Sequence, residues 1–352
     1  MKFSKIVSRL APHIISGLIA LLLVVPIEAR PNKNAHKYSP LGRLVDAGGH
    51  HLHLYCTGTG GPAVVIENGT GDFSFDWSLV QPSVSQFTQV CTYDRAGYAW
   101  SEPGPKPRTF QQLTMELRTA LHNAGVKGPY ILVGQSYGGF VVRAFARYYP
   151  KEVAGMVLVD AVNEDSRVII NNKAVRIREM AQGRPFPPPQ LSKLPKAQGR
   201  SSLPSAGTAG SAETSLEAPL DKLPRAVQQI RLWAQARPEY ENARSAELDW
   251  SPEELARMYA NRGKPEYMLG DIPLIVLTRG SGGYSDEPDV SAQQLEEERL
   301  RLQEELAHLS RNSKQIIAKN SGHNIHLEDP GLVIDAIRQV VKAVRGDKRL
   351  AR

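Results

Sequence analysis

Tyr130-Ile131-Leu132-Val133-Gly134-Gln135-Ser136-Tyr137-Gly138-Gly139-Phe140-Val141-Val142-Arg143-Ala144-Phe145-Ala146-Arg147-Tyr148-Tyr149 reads as a strand, a tight turn and a helix. The apolar run Tyr130 to Val133 suits a buried strand, and Phe140 to Tyr149 suits a helix. A serine at such a junction sits on a strained elbow, with its hydroxyl above the sheet and the following amide facing the same space. Glycines flank it because a side chain at either place would strike the neighbouring strand or the helix. The pattern predicts a nucleophilic Ser136, with the Tyr137 amide as one oxyanion donor. The competing reading is a plain serine in a glycine turn.

A nucleophilic serine needs a base and a group that orients it. Among nine histidines, His323 stands out in Asn320-Ser321-Gly322-His323-Asn324-Ile325-His326. It follows the strand-like run Lys314 to Lys319 near the end of the chain, where a loop can swing over the sheet. His326 is the rival, but it falls in or near the helix expected around Asp329-Pro330. Two places offer the acid. Asp160 ends the strand Gly155 to Val159, directly after the nucleophile helix. Asp286 (or Asp289) follows the strand Ile272 to Thr278, beyond the glycine-rich Gly280 to Ser285 loop. Both give the chain order Ser, Asp, His. A strand end holds a carboxylate more rigidly than a glycine-rich loop does, which favours Asp160 and leaves Asp286 as the alternative. The second oxyanion donor is expected from Asn68-Gly69-Thr70-Gly71, after the strand Pro62 to Glu67, and is assigned to the Thr70 amide.

These stretches, with Tyr93-Asp94-Arg95-Ala96-Gly97-Tyr98-Ala99-Trp100-Ser101, make the chain resemble an α/β-hydrolase-fold serine hydrolase of the esterase and lipase kind over roughly residues 44 to 345. The resemblance implies a mostly parallel eight-stranded sheet flanked by helices, with a helical lid inserted after the sixth strand. Gln135 stands where relatives often have histidine, Asn68-Gly69 where many have His-Gly, and Ala99 where they usually have glycine. None of these removes a backbone donor. In relatives the Asp94 to Ser101 stretch is mostly structural, and no catalytic role is expected of it here. A serine nucleophile speaks against epoxide hydrolases and haloalkane dehalogenases, which attack with aspartate. In this sheet the second and fourth strands are neighbours, so Cys56 and Cys91, the only cysteines, are expected to form a disulfide.

The N-terminus carries Lys2, Lys5 and Arg9, then an apolar stretch from Ile14 to Val25 of signal-peptide length. Ile27-Glu28-Ala29 is an imperfect cleavage site, so residues 1–29 read as a signal peptide or a signal anchor, and the catalytic domain is expected outside the cytoplasm. Membrane contact is expected only through that segment if it is kept. The net charge of +7 is scattered, apart from a basic tail over 346–352, and nothing points to nucleic acid. No CxxC pair, HExxH or P-loop occurs, so neither metal nor cofactor is expected.

The expected organisation is a linker over 30–40, a first core part over 41–160, an insertion over 161–270 and a second core part over 271–345. Within the insertion, 183–224 is rich in Pro, Ser, Ala and Gly and reads as disordered. Ser251-Pro252-Glu253-Glu254 reads as a capping box opening a helix. Trp233, Trp250 and Met258 are candidates to line a pocket under the lid or to sit in helix cores. The long helix over 291–309 is expected to present its charges to solvent. The expected function is an exported hydrolase for small esters with an apolar acyl or alcohol group. Thioesterase, amidase or peptidase chemistry would use the same residues, and a catalytically silent ligand-binding protein is the reading of another class.

Overall fold

The computed structural model describes residues 38–171, 173–193, 216–346 and 349–350. The expected signal segment 1–29, most of the 30–40 linker, the middle of the 183–224 stretch and most of the basic tail lie outside them. The strands are β1 (Arg43–Asp46), β2 (His51–Thr57), β3 (Val64–Glu67), β4 (Val90–Tyr93), β5 (Tyr130–Gln135), β6 (Val153–Val159), β7 (Arg167–Ile170), β8 (Lys173–Arg176), β9 (Leu274–Arg279) and β10 (Ser313–Ala318). The α-helices are α1 (Gln81–Val84), α2 (Phe110–Asn123), α3 (Gly138–Tyr148), α4 (Arg225–Gln235), α5 (Pro238–Asp249), α6 (Ser251–Asn261), α7 (Ala292–Ala307), α8 (Ile325–Glu328) and α9 (Pro330–Gly346).

Eight strands form one sheet in the order β1-β2-β4-β3-β5-β6-β9-β10, and β7 and β8 make a separate hairpin. Only β2 opposes the others, pairing antiparallel with β1 and β4. Helices must therefore cover both faces, and the central strands are apolar on both sides. Val65, Leu132, Leu158 and Val276 pack against α2, α3 and α7. Val64, Ile66, Ile131, Val133, Val157, Val159, Ile275 and Leu277 face α1 and α9. Alternate residues of each strand thus feed opposite cores.

Chain order reverses at β3. The chain leaves β3 for β4 on one side and returns to β5 on the other. Connections that depart in opposite directions open a crevice beyond the strand ends, where ligands of open α/β sheets bind. The loop after β3 holds Asn68 to Gly71, and the turn after β5 holds Ser136. On the other flank, Cys56 and Cys91 face each other across the β2–β4 pair and are joined by a disulfide.

In the described part of the 183–224 stretch, three residues are held by hydrogen bonds. Gln190 exchanges two hydrogen bonds with Gln112, and the Ser192 amide donates to the Gly48 carbonyl. Arg184 binds Glu253 at 2.8 Å. Two expectations, about the start of α6 and the charges of α7, are corrected. The Ser251 capping box does not form. The chain enters α6 from α5 through Trp250, already helical, so the Ser251 hydroxyl donates back to the Glu247 carbonyl at 3.5 Å. Glu253 and Glu254 are taken by Arg184 and by the Phe110 amide instead. The charges of α7 are not all solvated: Arg299 is buried on its inner side, next to the neutral Gln303.

Candidate active site

The elbow is built by close approach. A Cβ on Gly134 would sit 2.7 Å from both the Gly138 carbonyl oxygen and Val142 Cγ2, and one on Gly138 would sit 2.5 Å from the Glu67 carbonyl oxygen. The first contact is the helix and the second the neighbouring strand. With α3 pressed onto β3 in this way, Ser136 is left at φ +52°. Its amide donates to Val159 at 3.2 Å, and its carbonyl accepts from Gly139 and Val162.

Asp160 stands one strand over, directly after β6, also at positive φ (+40°) and nearly buried. Its Oδ2 is 2.6 Å from His323 Nδ1. Its Oδ1 accepts from the Arg279 amide at 3.1 Å and has Arg299 Nη1 at 3.6 Å, while Arg279 Nη1 is 3.9 Å from Oδ2. The carboxylate is thus tied to β9 and α7 as well as to the histidine. Arg299 was not legible as part of a site, because its place in a charged helix looks like that of any solvated arginine.

The loop bearing His323 is gripped at three consecutive residues. Ser321 accepts at its carbonyl from Gly280 and Ser281, the Gly322 amide donates to Glu328 at 2.9 Å, and the His323 carbonyl accepts a long bond of 3.5 Å from Gln135 Nε2. Gln135 thus links the residue before the elbow serine to the histidine loop. No hydrogen bond joins the Ser136 hydroxyl to His323 among the described residues; such contacts often tighten only when substrate binds. The His323 side chain is 40% exposed, which leaves its ring reachable from solvent.

The other acid and the other histidine are used elsewhere. Asp286 is exposed, and its carboxylate accepts from the Ala292 amide at 2.7 Å, at the start of α7. The fold does not bring it to His323; Asp289 is likewise exposed. His326 falls in α8, just before α9. It is buried and stacked on Trp77 with centroids 4.6 Å apart, and burial pulls its pKa down to about 4. It is a core residue.

The loop after β3 presses on the elbow: a Cβ on Gly69 would lie 3.2 Å from Ser136 Cβ and 2.3 Å from Gln135 Oε1. Asn68 is engaged at both ends of its side-chain amide. Its Nδ2 donates to the Tyr93 carbonyl at 2.8 Å, and its Oδ1 accepts from Trp77 Nε1 at 2.9 Å. Thr70 follows in this loop, and Tyr137 opens α3 in αR geometry.

Helices of the insertion close over this end of the sheet. Arg231 of α4 binds Asp72 at 3.1 Å and also Asp76. Burial raises the Asp76 carboxyl to about 6 despite that arginine. The Tyr240 hydroxyl of α5 donates to the Gly71 carbonyl at 3.0 Å. Trp233 packs with Trp100 and Tyr38, and Met258 with Phe110, Leu113, Tyr137 and Phe140. Both are core between the insertion and the main body. Trp250 lies against Phe186 and the Arg184 guanidinium.

A sequence model of the alpha/beta hydrolase family matches residues 64–336. The chain belongs to this family. YqjL, an uncharacterized protein of Bacillus subtilis strain 168, is 26% identical over 283 residues, covering 80% of this chain and 85% of its own. A protein named as a probable transporter, efuK of Hormonema carpetanum, is 34% identical over 129 residues, and that match spans only 18% of its length. Among solved structures, a thermophilic esterase from Thermogutta terrifontis superposes with a TM-score of 0.54 at 19% identity, over 86% of this chain and 99% of its own. At that identity the likeness speaks for the fold.

Proposed function

We propose that this hydrolase-family protein is an exported serine hydrolase that cleaves small carboxylic esters with an apolar acyl or alcohol part. The observation that carries the reading is the 2.6 Å contact of His323 with the buried Asp160, at the same sheet end as a serine held at φ +52°. In this reading His323 takes the Ser136 proton as the hydroxyl attacks the ester carbonyl. The Thr70 and Tyr137 amides receive the oxyanion. Asp160 orients His323 and balances its charge. The alcohol leaves with the proton from His323, and a water activated by the same ring then hydrolyses the acyl-enzyme. An apolar substrate part is supported by the aromatic core that packs around this end of the sheet, where Tyr240 and Tyr98 meet Phe73 and the Tyr137 ring meets Phe110 and Phe140. Export is supported by the N-terminal segment and by the disulfide.

A fluorophosphonate tests the reading. We expect one adduct, located on Ser136 by mass spectrometry, and its loss in His323→Ala. A folded chain that resists the reagent would end the serine-hydrolase reading and favour a silent binding protein.

A further inference from the structure

One guanidinium joins the loop after β3 to the inserted helices. Arg95 follows β4 and is 2% exposed. Its Nη1 donates to Glu67 Oε1 and to the Asn68 carbonyl, both at 2.7 Å. Its Nη2 donates to the Gly69 carbonyl at 2.8 Å. Its Nε and Nη2 grip both oxygens of Glu247, on α5, at 2.6 and 3.1 Å. Glu247 in turn accepts from the Tyr98 hydroxyl at 2.8 Å, and its carbonyl accepts from the Tyr137 hydroxyl at 3.2 Å. Glu67 accepts from the Tyr93 hydroxyl. Burial raises the Glu67 carboxyl above its ordinary value, against the pull of Arg95.

The geometry of the peptide unit gives this clamp a consequence. The Gly69 carbonyl and the Thr70 amide belong to one planar trans unit, so they point to opposite sides. Anchoring the carbonyl on Arg95 therefore aims the amide. Gly69 has no side chain to restrict its own dihedrals, and the turn holds its carbonyl only through a long 3.4 Å bond from the Asp72 amide, so the shorter bond from Arg95 is the firmer anchor. Only a planar fork with donors on several edges can hold two successive carbonyls and two carboxylates at once. The carboxylate that fixes the far side of that fork comes from α5, 152 residues along the chain.

We propose that Arg95, clamped by Glu247, is a positioning residue that aims the Thr70 amide at the reacting centre, so that the seating of α5 sets the competence of the oxyanion hole. This rests on the reading of Thr70 as an oxyanion donor. A cluster that merely stabilised the fold would change unfolding without changing the chemical step in molecules that remain folded.

The test uses the full chain with Arg95→Lys, Glu247→Gln and the double variant. Readouts are thermal unfolding, kcat and KM on an activated ester, the rate of fluorophosphonate capture, and hydrogen exchange of peptides covering 67–77. One misaimed donor costs about 10²–10³ in kcat. We expect Arg95→Lys to lose about 100-fold in kcat, Glu247→Gln about 10-fold, and KM to stay within about threefold. The double variant should be no worse than Arg95→Lys, and exchange at 68–72 should quicken in every variant. Folded variants with wild-type kcat, losses confined to KM, or simply multiplying losses would overturn the proposal. Should Arg95→Lys fail to fold, Glu247→Gln decides alone, because it keeps the shape of the side chain. If the wild-type chain neither reacts nor turns over, the serine-hydrolase reading fails separately. Exchange in Glu247→Gln then judges the clamp: quickening at 68–72 keeps it, and a change confined to 238–249 overturns it.

Discussion

Ser136 and Asp160 share an unusual backbone, φ +52° and +40°, in a region that non-glycine residues rarely occupy. Such strain costs on the order of 1–3 kcal/mol and persists only where the surroundings over-determine it. Here they do: the Ser136 amide is tied to Val159, and the Asp160 amide to Leu277 at 2.8 Å. The serine was legible because its demand is local, two glycines at fixed offsets between an apolar strand and a helix. The acid was legible only as a preference for the strand-end Asp160, since Asp160 and Asp286 both satisfy the chain order. The fold separates them by assigning Asp286 to a helix start and Asp160 to His323. We expect Asp160→Asn to lower kcat by about 10³–10⁴ with the fold intact, because the amide would hold His323 in the wrong tautomer. Asp286→Ala should stay within about twofold in kcat and lose about 1 kcal/mol of stability as a helix-start contact. Steady-state kinetics and urea unfolding of the two variants check this.

At the scale of elements, the joint between α2 and α6 carries a pH dependence. Glu254 is buried and accepts from the Phe110 amide at 2.9 Å, and burial lifts its pKa from 4.5 to about 7. A carboxyl raised on folding binds its proton more tightly in the folded state. Its contribution is therefore full below about pH 4.5 and falls as pH rises through about 7. Glu254→Gln keeps the acceptor oxygen and cannot ionise. We expect it to leave stability unchanged near pH 4.5 and to raise it by roughly 2 kcal/mol at pH 8, as read from urea unfolding at both values. The disulfide between β2 and β4 closes a separation of 35 residues. Replacing both cysteines with serine should cost about 4 kcal/mol on the chain-entropy model, and the unfolded, unreduced wild-type chain should show no reactive thiol. The capping box at Ser251 illustrates why helix starts were less legible. A local motif is decided by its neighbours when an arginine and a backbone amide from other elements compete for the same glutamates.

Over the whole molecule, the site exists because strand order reverses at β3, which leaves the β3 loop and the elbow facing each other across one crevice. The compartment belongs to this scale too. A reporter joined after residue 352 should be active only outside the cytoplasm, and activity inside would remove the export reading. The sequence by itself determined the class of fold, the strand pair that the cysteines bridge, and the turn that presents Ser136. The fold class and the turn follow from local period and glycine spacing, which act over a few residues, and the cysteine pairing follows from the strand order that the resemblance implies. Only the tertiary structure decided which acid meets His323, that Arg299 turns inward beside Asp160, and that Arg95 stands between Glu67 and Glu247. The physical reason is the same in each case. Such a pair is chosen by which distant carboxylate the packed elements carry to the imidazole or guanidinium, and no local pattern of residues encodes that meeting.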